Sequence, residues 1–198
     1  LRKAPERKRD RVLTRAELAA IWRACEGGPG PVSQAFGRMV RFLLVTAQRR
    51  DEAASLRHGD ILGGVWRQAA ESTKSNRAHA LALPPLALDL VGQGETQALV
   101  FAGSKGKISG FSKFKRGLDR SSGISGWRLH DLRRSAASHM QELGITPDTI
   151  RAVLNHAMSG VGGVYMRAEL EGAKKAALAL WSDEIERLIA NRSHRAAA

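Results

Sequence analysis

The segment LHDLRRSAASHM, residues 129–140, sets apolar side chains at Leu129, Leu132, Ala136 and Met140. Recurrence at steps of three and four is the signature of an amphipathic helix. His130 and Arg133, three positions apart, fall on one face of that helix and border its apolar stripe. They are therefore predicted at the edge of a core, with Arg134 pointing away toward water. His130 also lies near the helix start, where unpaired backbone N–H groups favour an anion. Such a pair either caps and packs or binds something negative, and the flanking sequence decides between the two.

Downstream, a helix over about 147–155 leads into His156, where an imidazole meets the negative end of a helix dipole. Nine residues later comes Tyr165, the only tyrosine of the chain, within LNHAMSGVGGVYMR (154–167). Gly160, Gly162 and Gly163 precede it and offer no side chains to surround its ring. Each glycine costs a helix about 1 kcal/mol relative to alanine, so the spacing predicts a weakly held tether. A last helix is predicted from about 169 to 190, with Leu178, Leu180, Trp181, Ile185, Leu188 and Ile189 apolar, followed by a frayed tail.

Upstream, TRAEL from Thr14 is a capping box, with Glu17 reaching back to Thr14 and Leu18, Ile21 and Trp22 forming the stripe. GGPGP (27–31) breaks that helix, and a second follows over roughly 32–47 with Phe36, Val40, Leu43 and Leu44 inward. DILGGVWRQAA and ESTKSNRAHALAL read as strands around a Gly63-Gly64 turn and a Lys74-Ser75-Asn76 turn, a three-stranded antiparallel sheet over about 58–83. Pro84-Pro85 opens another helix. GSKGKISG (103–110) reads as a flexible loop in which Lys105 and Lys107 are solvated, and a further helix spans about 110–121. The expected fold class is mainly α with a small antiparallel β-sheet (α+β). Residues 1–12, LRKAPERKRDRV, read as a basic interdomain linker, which implies a preceding domain; residues 13–198 form one domain with a C-terminal helix and tail.

Lys and Arg number 32 against 19 acidic residues, a net charge of +13, which favours a polyanionic partner, above all nucleic acid. One cysteine, Cys25, excludes an internal disulfide and fits a reducing compartment. The scattered histidines lack paired zinc-ligand spacing, and no apolar run approaches the ~20 residues of a membrane helix.

The basic residues accumulate in an order that suits phosphoryl transfer. Arg49 follows the apolar end of a helix in TAQRRDE, with Glu52 three positions on. A phosphodiester transition state spreads charge over its non-bridging oxygens, and two guanidinium forks can bracket it. Histidines add donors or move protons. A phenol can attack phosphorus and form an ester, provided that nearby cations ease loss of its proton from an ordinary value of about 10. No metal and no cofactor is needed for this chemistry.

The order T-A-Q-R-x-x-E, T-K, H-x-x-R, L-N-H and Y resembles the catalytic domain of the tyrosine recombinases, the phage integrase family, from about Val12 to Trp181. The wording of TAQRRDEAASLR, GWRLHDLRRSAASHM and VLNHAMSGVGGVYMR is most similar to integrases of prophages and genomic islands. The resemblance implies the DNA breaking-rejoining fold and site-specific recombination for integration or excision of a mobile element. It implies that Arg49 and Arg133 bind the scissile phosphate, that His130 acts as acid/base or donor, and that His156 donates to a non-bridging oxygen. Lys74 would protonate the leaving 5′ oxygen, Glu52 would orient the site, and Tyr165 would form a 3′-phosphotyrosine bond. Implied partners are duplex DNA at attachment sites, further copies of the chain in a tetramer, and accessory DNA-bending or directionality proteins, with no membrane and a cytoplasmic, nucleoid-associated location. The family often has Gly where Ala47 and Asn155 stand, which implies tuning of the site. Two rivals remain open at this stage: a strand-nicking topoisomerase with the same chemistry, and a non-catalytic DNA-binding module in which Tyr165 is inert.

Overall fold

The computed structural model describes residues 10–28, 31–156 and 167–190. Thr14 and Glu17 form the reciprocal cap of α1 (Arg15–Ala24): the Glu17 amide donates to Thr14 Oγ1 at 3.3 Å, and the Thr14 amide to Glu17 Oε2 at 2.8 Å. Helix α2 (Pro31–Thr46) is the hub, with Phe36, Met39, Val40, Phe42, Leu43, Leu44 and Val45 all buried. At the α1–α2 crossing a Cβ on Gly37 would lie 2.4 Å from the Cys25 carbonyl oxygen, so the close approach requires glycine there.

A short helix, α3 (Arg50–Ser55), follows α2 and turns the chain into a three-stranded antiparallel sheet in the order β1 (Ile61–Leu62), β2 (Val65–Gln68), β3 (His79–Ala82). Trp66 pairs with Ile61 on one side and Leu81 on the other. Its ring lies against Phe42 at 5.7 Å, and Phe42 meets Phe101 at 5.3 Å. Burying side chains of this size contributes about 2–3 kcal/mol each, which fixes the sheet onto α2.

Helix α4 (Pro85–Val91) starts on the paired prolines. The segment expected as a loop over 103–110 instead contains a small hairpin, β4 (Ala102–Gly103) with β5 (Gly106–Lys107). Gly106, at φ 103, makes its turn, and buried Val100, Phe101 and Ile108 anchor its base. Helices α5 (Phe111–Ser122), α6 (Leu129–Glu142) and α7 (Pro147–Val153) follow. Helix α7 stops two residues short of the expected end, because Asn155 adopts φ 49 and closes it.

On α6, Leu132, Ala136 and Met140 are fully buried, whereas Leu129 is half-buried. Ser135 Oγ accepts from the Leu13 amide at 2.8 Å and His139 Nε2 meets the Leu13 carbonyl at 2.8 Å, tying the incoming chain to α6. Arg134 is less solvated than its position suggested, because it pairs with buried Asp131 at 2.6 Å. The long C-terminal helix α8 (Arg167–Ala190) folds back on its own domain. Ala177, Leu178, Trp181 and Ile185 are buried, and Trp181 Nε1 donates to the Leu44 carbonyl at 2.9 Å. Leu180 stays exposed, and Leu188 and Ile189 are half-buried.

Candidate active site

The site forms where three chain ends meet. Helix α2 stops at Thr46, and Ala47 turns the chain with φ 55, a left-handed conformation that side chains adopt at a cost. Gln48 is then buried, and its Nε2 donates to the Thr46 carbonyl at 2.8 Å and the Val153 carbonyl at 2.9 Å. The last carbonyls of α2 and α7 thus share one side-chain donor.

Arg133 on α6 makes the same link more strongly. Its Nη1 donates to the Ala47 carbonyl at 2.7 Å, and its Nη2 donates to the Leu154 carbonyl and to His156 Nε2, the latter at 3.1 Å. A cation here faces the negative ends of two helices. The chain between Leu154 and His156 is a Schellman-type cap: the Asn155 amide donates to the Ala152 carbonyl at 3.1 Å and the His156 amide to the Arg151 carbonyl at 2.9 Å. Asn155 holds the left-handed position, and that turn aims His156 at Arg133.

Arg49 is the residue before α3, and Glu52 sits one turn on. Glu52 Oε1 accepts from Arg49 Nη1 at 3.0 Å and from the Lys74 amide at 3.4 Å, while Oε2 accepts from the Arg49 amide at 3.4 Å. Buried Glu52 therefore connects Arg49 to the β2–β3 turn that carries Lys74. Thr73 braces that turn by accepting from the Arg77 amide at 3.1 Å and donating to the Arg77 carbonyl at 2.8 Å. Arg77 and Asn155 in turn exchange two bonds of 3.3 Å, side chain to backbone in each direction.

Of these residues Gln48, Arg49 and Lys74 line a cleft of about 480 Å³ whose walls also include His130, Arg128, Lys115 and Trp127. Lys115 stacks over Trp127 at 3.9 Å and Arg50 over Phe111 at 4.7 Å, so aromatic rings hold two of the cations. Arg133 and His156 are not wall residues of this cleft; Arg133 is buried behind it.

The electrostatics record how close the cations are. Burial first, then Arg49, pushes the Arg133 guanidinium down to about 9, with Glu52 opposing; it is still charged at neutral pH. His130 is lowered by burial, then by Arg133 and Arg134, with Arg49 adding a smaller effect. His156 is lowered by burial, then by Arg133, Arg49 and Arg77, with His130 last. Both shifts favour the neutral imidazole. The cluster repels itself and would be relieved by an anion.

Of the residues singled out in the sequence, Arg49, Lys74, His130, Arg133, His156 and Glu52 gather around this point. Tyr165 lies outside the described residues, as do Gly160, Gly162 and Gly163. Gln48, Arg77 and His79 were not singled out, although all three touch the site's frame. Gln48 directly precedes Arg49, and its place in T-A-Q-R was the one signal the sequence offered. His79, at the start of β3, is buried and pushed down to about 3 by burial first and Lys174 second, with a backbone hydrogen bond at Val153 opposing. Among the described residues, no group of three or more His, Cys, Asp or Glu side chains could hold a metal ion, and no helix is long and apolar enough to cross a membrane.

The sequence profile of the Phage integrase family matches residues 11–171. Among solved structures the chain is similar to a lambda integrase (75-356) dimer bound to a COC' core site, at 22% identity and TM-score 0.58, over 79% of this chain and 61% of that one. It is similar to the catalytic domain of bacteriophage HP1 integrase at 18% identity and TM-score 0.58, over 91% and 95% of the two chains. It is also similar to XerA recombinase at 14% identity and TM-score 0.56, over 96% and 66%. At these identities the likeness is one of fold. The chain spans 61% of that lambda integrase chain and 51% of a longer one. No curated protein matches it.

Proposed function

Because the chain belongs to the phage integrase family, as a tyrosine-type site-specific recombinase catalytic domain, we propose that it cuts and rejoins duplex DNA at attachment sites through a 3′-phosphotyrosine intermediate. The observation that supports this reading best is the convergence of Arg49, Arg133, His130 and His156: Arg133 bonds His156 at 3.1 Å, and Arg49 and Arg133 both act to lower His130 and His156. Four donors or cations around one point make a receptor for a single tetrahedral anion.

In this mechanism the two guanidinium groups hold the non-bridging oxygens of the scissile phosphate, and His156 adds a ring N–H. The Tyr165 oxygen attacks phosphorus; its proton passes to neutral His130, and the bond to the 5′ oxygen breaks. Lys74 gives that oxygen a proton. The new ester keeps the energy of the broken bond, so a 5′ hydroxyl from another strand reverses the step and displaces Tyr165. Glu52 keeps Arg49 and the Lys74 turn in register through its bonds to both.

Residues 1–12 would act as a linker and 13–198 as the catalytic domain. The acting form would be a tetramer on DNA, working with accessory DNA-bending or directionality proteins in the cytoplasm, to integrate or excise a mobile element. The lambda integrase dimer bound to its core site lends weight to an oligomer on DNA.

The test is a nicked suicide substrate carrying attachment-site DNA. Wild type should form a covalent adduct that survives denaturation, and Tyr165→Phe should form none. No wild-type adduct with bound DNA would favour the non-catalytic module, and relaxation of plasmid lacking any special site would favour a topoisomerase.

A further inference from the structure

A second, smaller hollow of about 220 Å³ opens beside the main cleft, lined by Arg49, Asp51, Glu52, Ser55, Ser72, Lys74 and Lys107. Arg49, Asp51 and Lys74 border both spaces, so the two are neighbours. Lys107 comes from β5, the far strand of the hairpin. Its Nζ reaches the end of α3 and donates to Ser55 Oγ at 2.5 Å and to the Asp51 carbonyl at 3.3 Å. The hairpin is thereby latched to the short helix that begins after Arg49 and contains Glu52.

The two carboxylates of the hollow have partners of their own. Glu52 bonds Arg49, and Asp51 takes a two-pronged bond from Arg50 at 2.9 and 3.0 Å. Lys74 and Lys107 are thus the excess charge on this side. A lysine serving only the end of α3 needs no hollow in front of it. This one shares its space with Arg49 and Lys74, next to the predicted seat of the scissile phosphate.

We propose that Lys107 binds a DNA phosphate flanking the scissile one and, through its latch on α3, holds Arg49 and Glu52 in position when DNA is seated. This rests on the recombinase reading. A phosphate in the hollow would draw the ammonium forward while Ser55 remains within reach. Lys107 is then a specific anchor that belongs to the substrate-binding surface.

The test crosses Lys107 with single neutral phosphates. Lys107→Gln keeps a donor for Ser55 and Asp51 while losing the charge, and Lys107→Arg restores charge. Binding of attachment-site DNA is measured against salt, with a series of duplexes each carrying one methylphosphonate near the cleavage point. For Lys107→Gln the slope of log affinity against log salt should shrink by about 0.9, with recovery in Lys107→Arg. At one flanking position the several-fold penalty of methylphosphonate in wild type should vanish in Lys107→Gln, the signature of a direct pair. An unchanged slope, or additive penalties at every position, would overturn the proposal. A lower melting temperature with an unchanged slope would reduce Lys107 to a helix-end latch. Adduct formation by wild type on unmodified DNA reports separately on the recombinase reading.

Discussion

The inner and outer walls of the cleft are built by different means. The inner wall, meaning the frame that backs the lining residues, is over-determined: buried Arg133 and Gln48 each bond carbonyls at the ends of α2 and α7, and the exposed His156 is aimed by a closed helix cap. The outer wall is made of turns. Lys74 sits on the β2–β3 turn and Lys107 on a hairpin two residues per strand, joined to the frame by a handful of polar contacts. The difference suits the proposed chemistry. Groups that bear transition-state charge gain from being fixed before substrate arrives, because no reorganisation is then needed. Groups that grip flanking backbone or deliver a proton must follow the DNA.

The contrast is broken most severely at Arg133. Arg133→Ala strands the Ala47 and Leu154 carbonyls and unhooks His156. It should cost about 2–4 kcal/mol in urea denaturation and abolish adduct formation. An Ala variant of an outer-wall lysine should leave the urea midpoint within about 0.5 kcal/mol of wild type. Equal stability losses on both walls would end the distinction.

Glu52 is the hinge between the walls, and Glu52→Ala is the next largest effect. It removes the acceptor of Arg49 and of the Lys74 amide, leaving Arg49 beside Arg133 without a counter-charge. The expected loss is about 1–3 kcal/mol, with adduct formation slowed more than DNA binding. A variant that binds weakly yet cleaves at the normal rate once saturated would show that Glu52 holds no geometry.

How far the sequence reached follows the same division. The inner wall rests on helices, whose three-and-four periodicity is explicit in LHDLRRSAASHM, and the core stripe at Leu132, Ala136 and Met140 came with it. The sheet was legible from its glycine and polar turns. Helix α3 and the β4–β5 hairpin were not, because six residues and two pairs are too short to show a period, and Gly, Ser and Lys in GSKGK read as loop. Gln48 was passed over since its task is to join two carbonyls distant in sequence. The position of Arg133 beside His156, 23 residues apart in the chain, depends on the cap at Asn155, where a φ of 49 replaces the helical continuation expected through residue 155.

A pH titration sharpens the contrast on the frame side. His79 is held at about 3 against an ordinary 6.5, so the unfolded chain takes up a proton that the folded chain refuses. Stability is therefore full above about pH 6.5 and falls as the pH drops toward 3. His130 and His156, lowered for the same first cause, act in the same direction. The slope from His79 should be about 1 kcal/mol per pH unit between pH 6 and 4. His79→Leu removes a ring whose Nε2 has no partner among the described residues and should flatten the urea midpoint over that range. A wild-type midpoint independent of pH from 7 to 4 would mean that the imidazole is protonated and satisfied in the fold.

The smallest effects test the two left-handed caps against each other. Ala47 and Asn155 share nearly the same φ, 55 and 49, yet their side chains differ in what they give back. A methyl group at that φ is opposed by the following carbonyl, so Ala47→Gly relieves about 1 kcal/mol and loses part of it to the greater freedom of the unfolded glycine. The site should stabilise slightly, by about 0.5 kcal/mol. Asn155 tolerates the left-handed region better, and its Nδ2 donates to the Arg77 carbonyl. Asn155→Gly gives up that bond to relieve less strain, so it should be neutral or destabilising by about 0.5 kcal/mol. The two substitutions thus separate, readable as a raised urea midpoint for Ala47→Gly against an unchanged or lowered one for Asn155→Gly. Shifts in the same direction would show that the Asn155 Nδ2 bond contributes nothing, and that the outer turn reaches the inner wall through Glu52 and the Arg77 side chain.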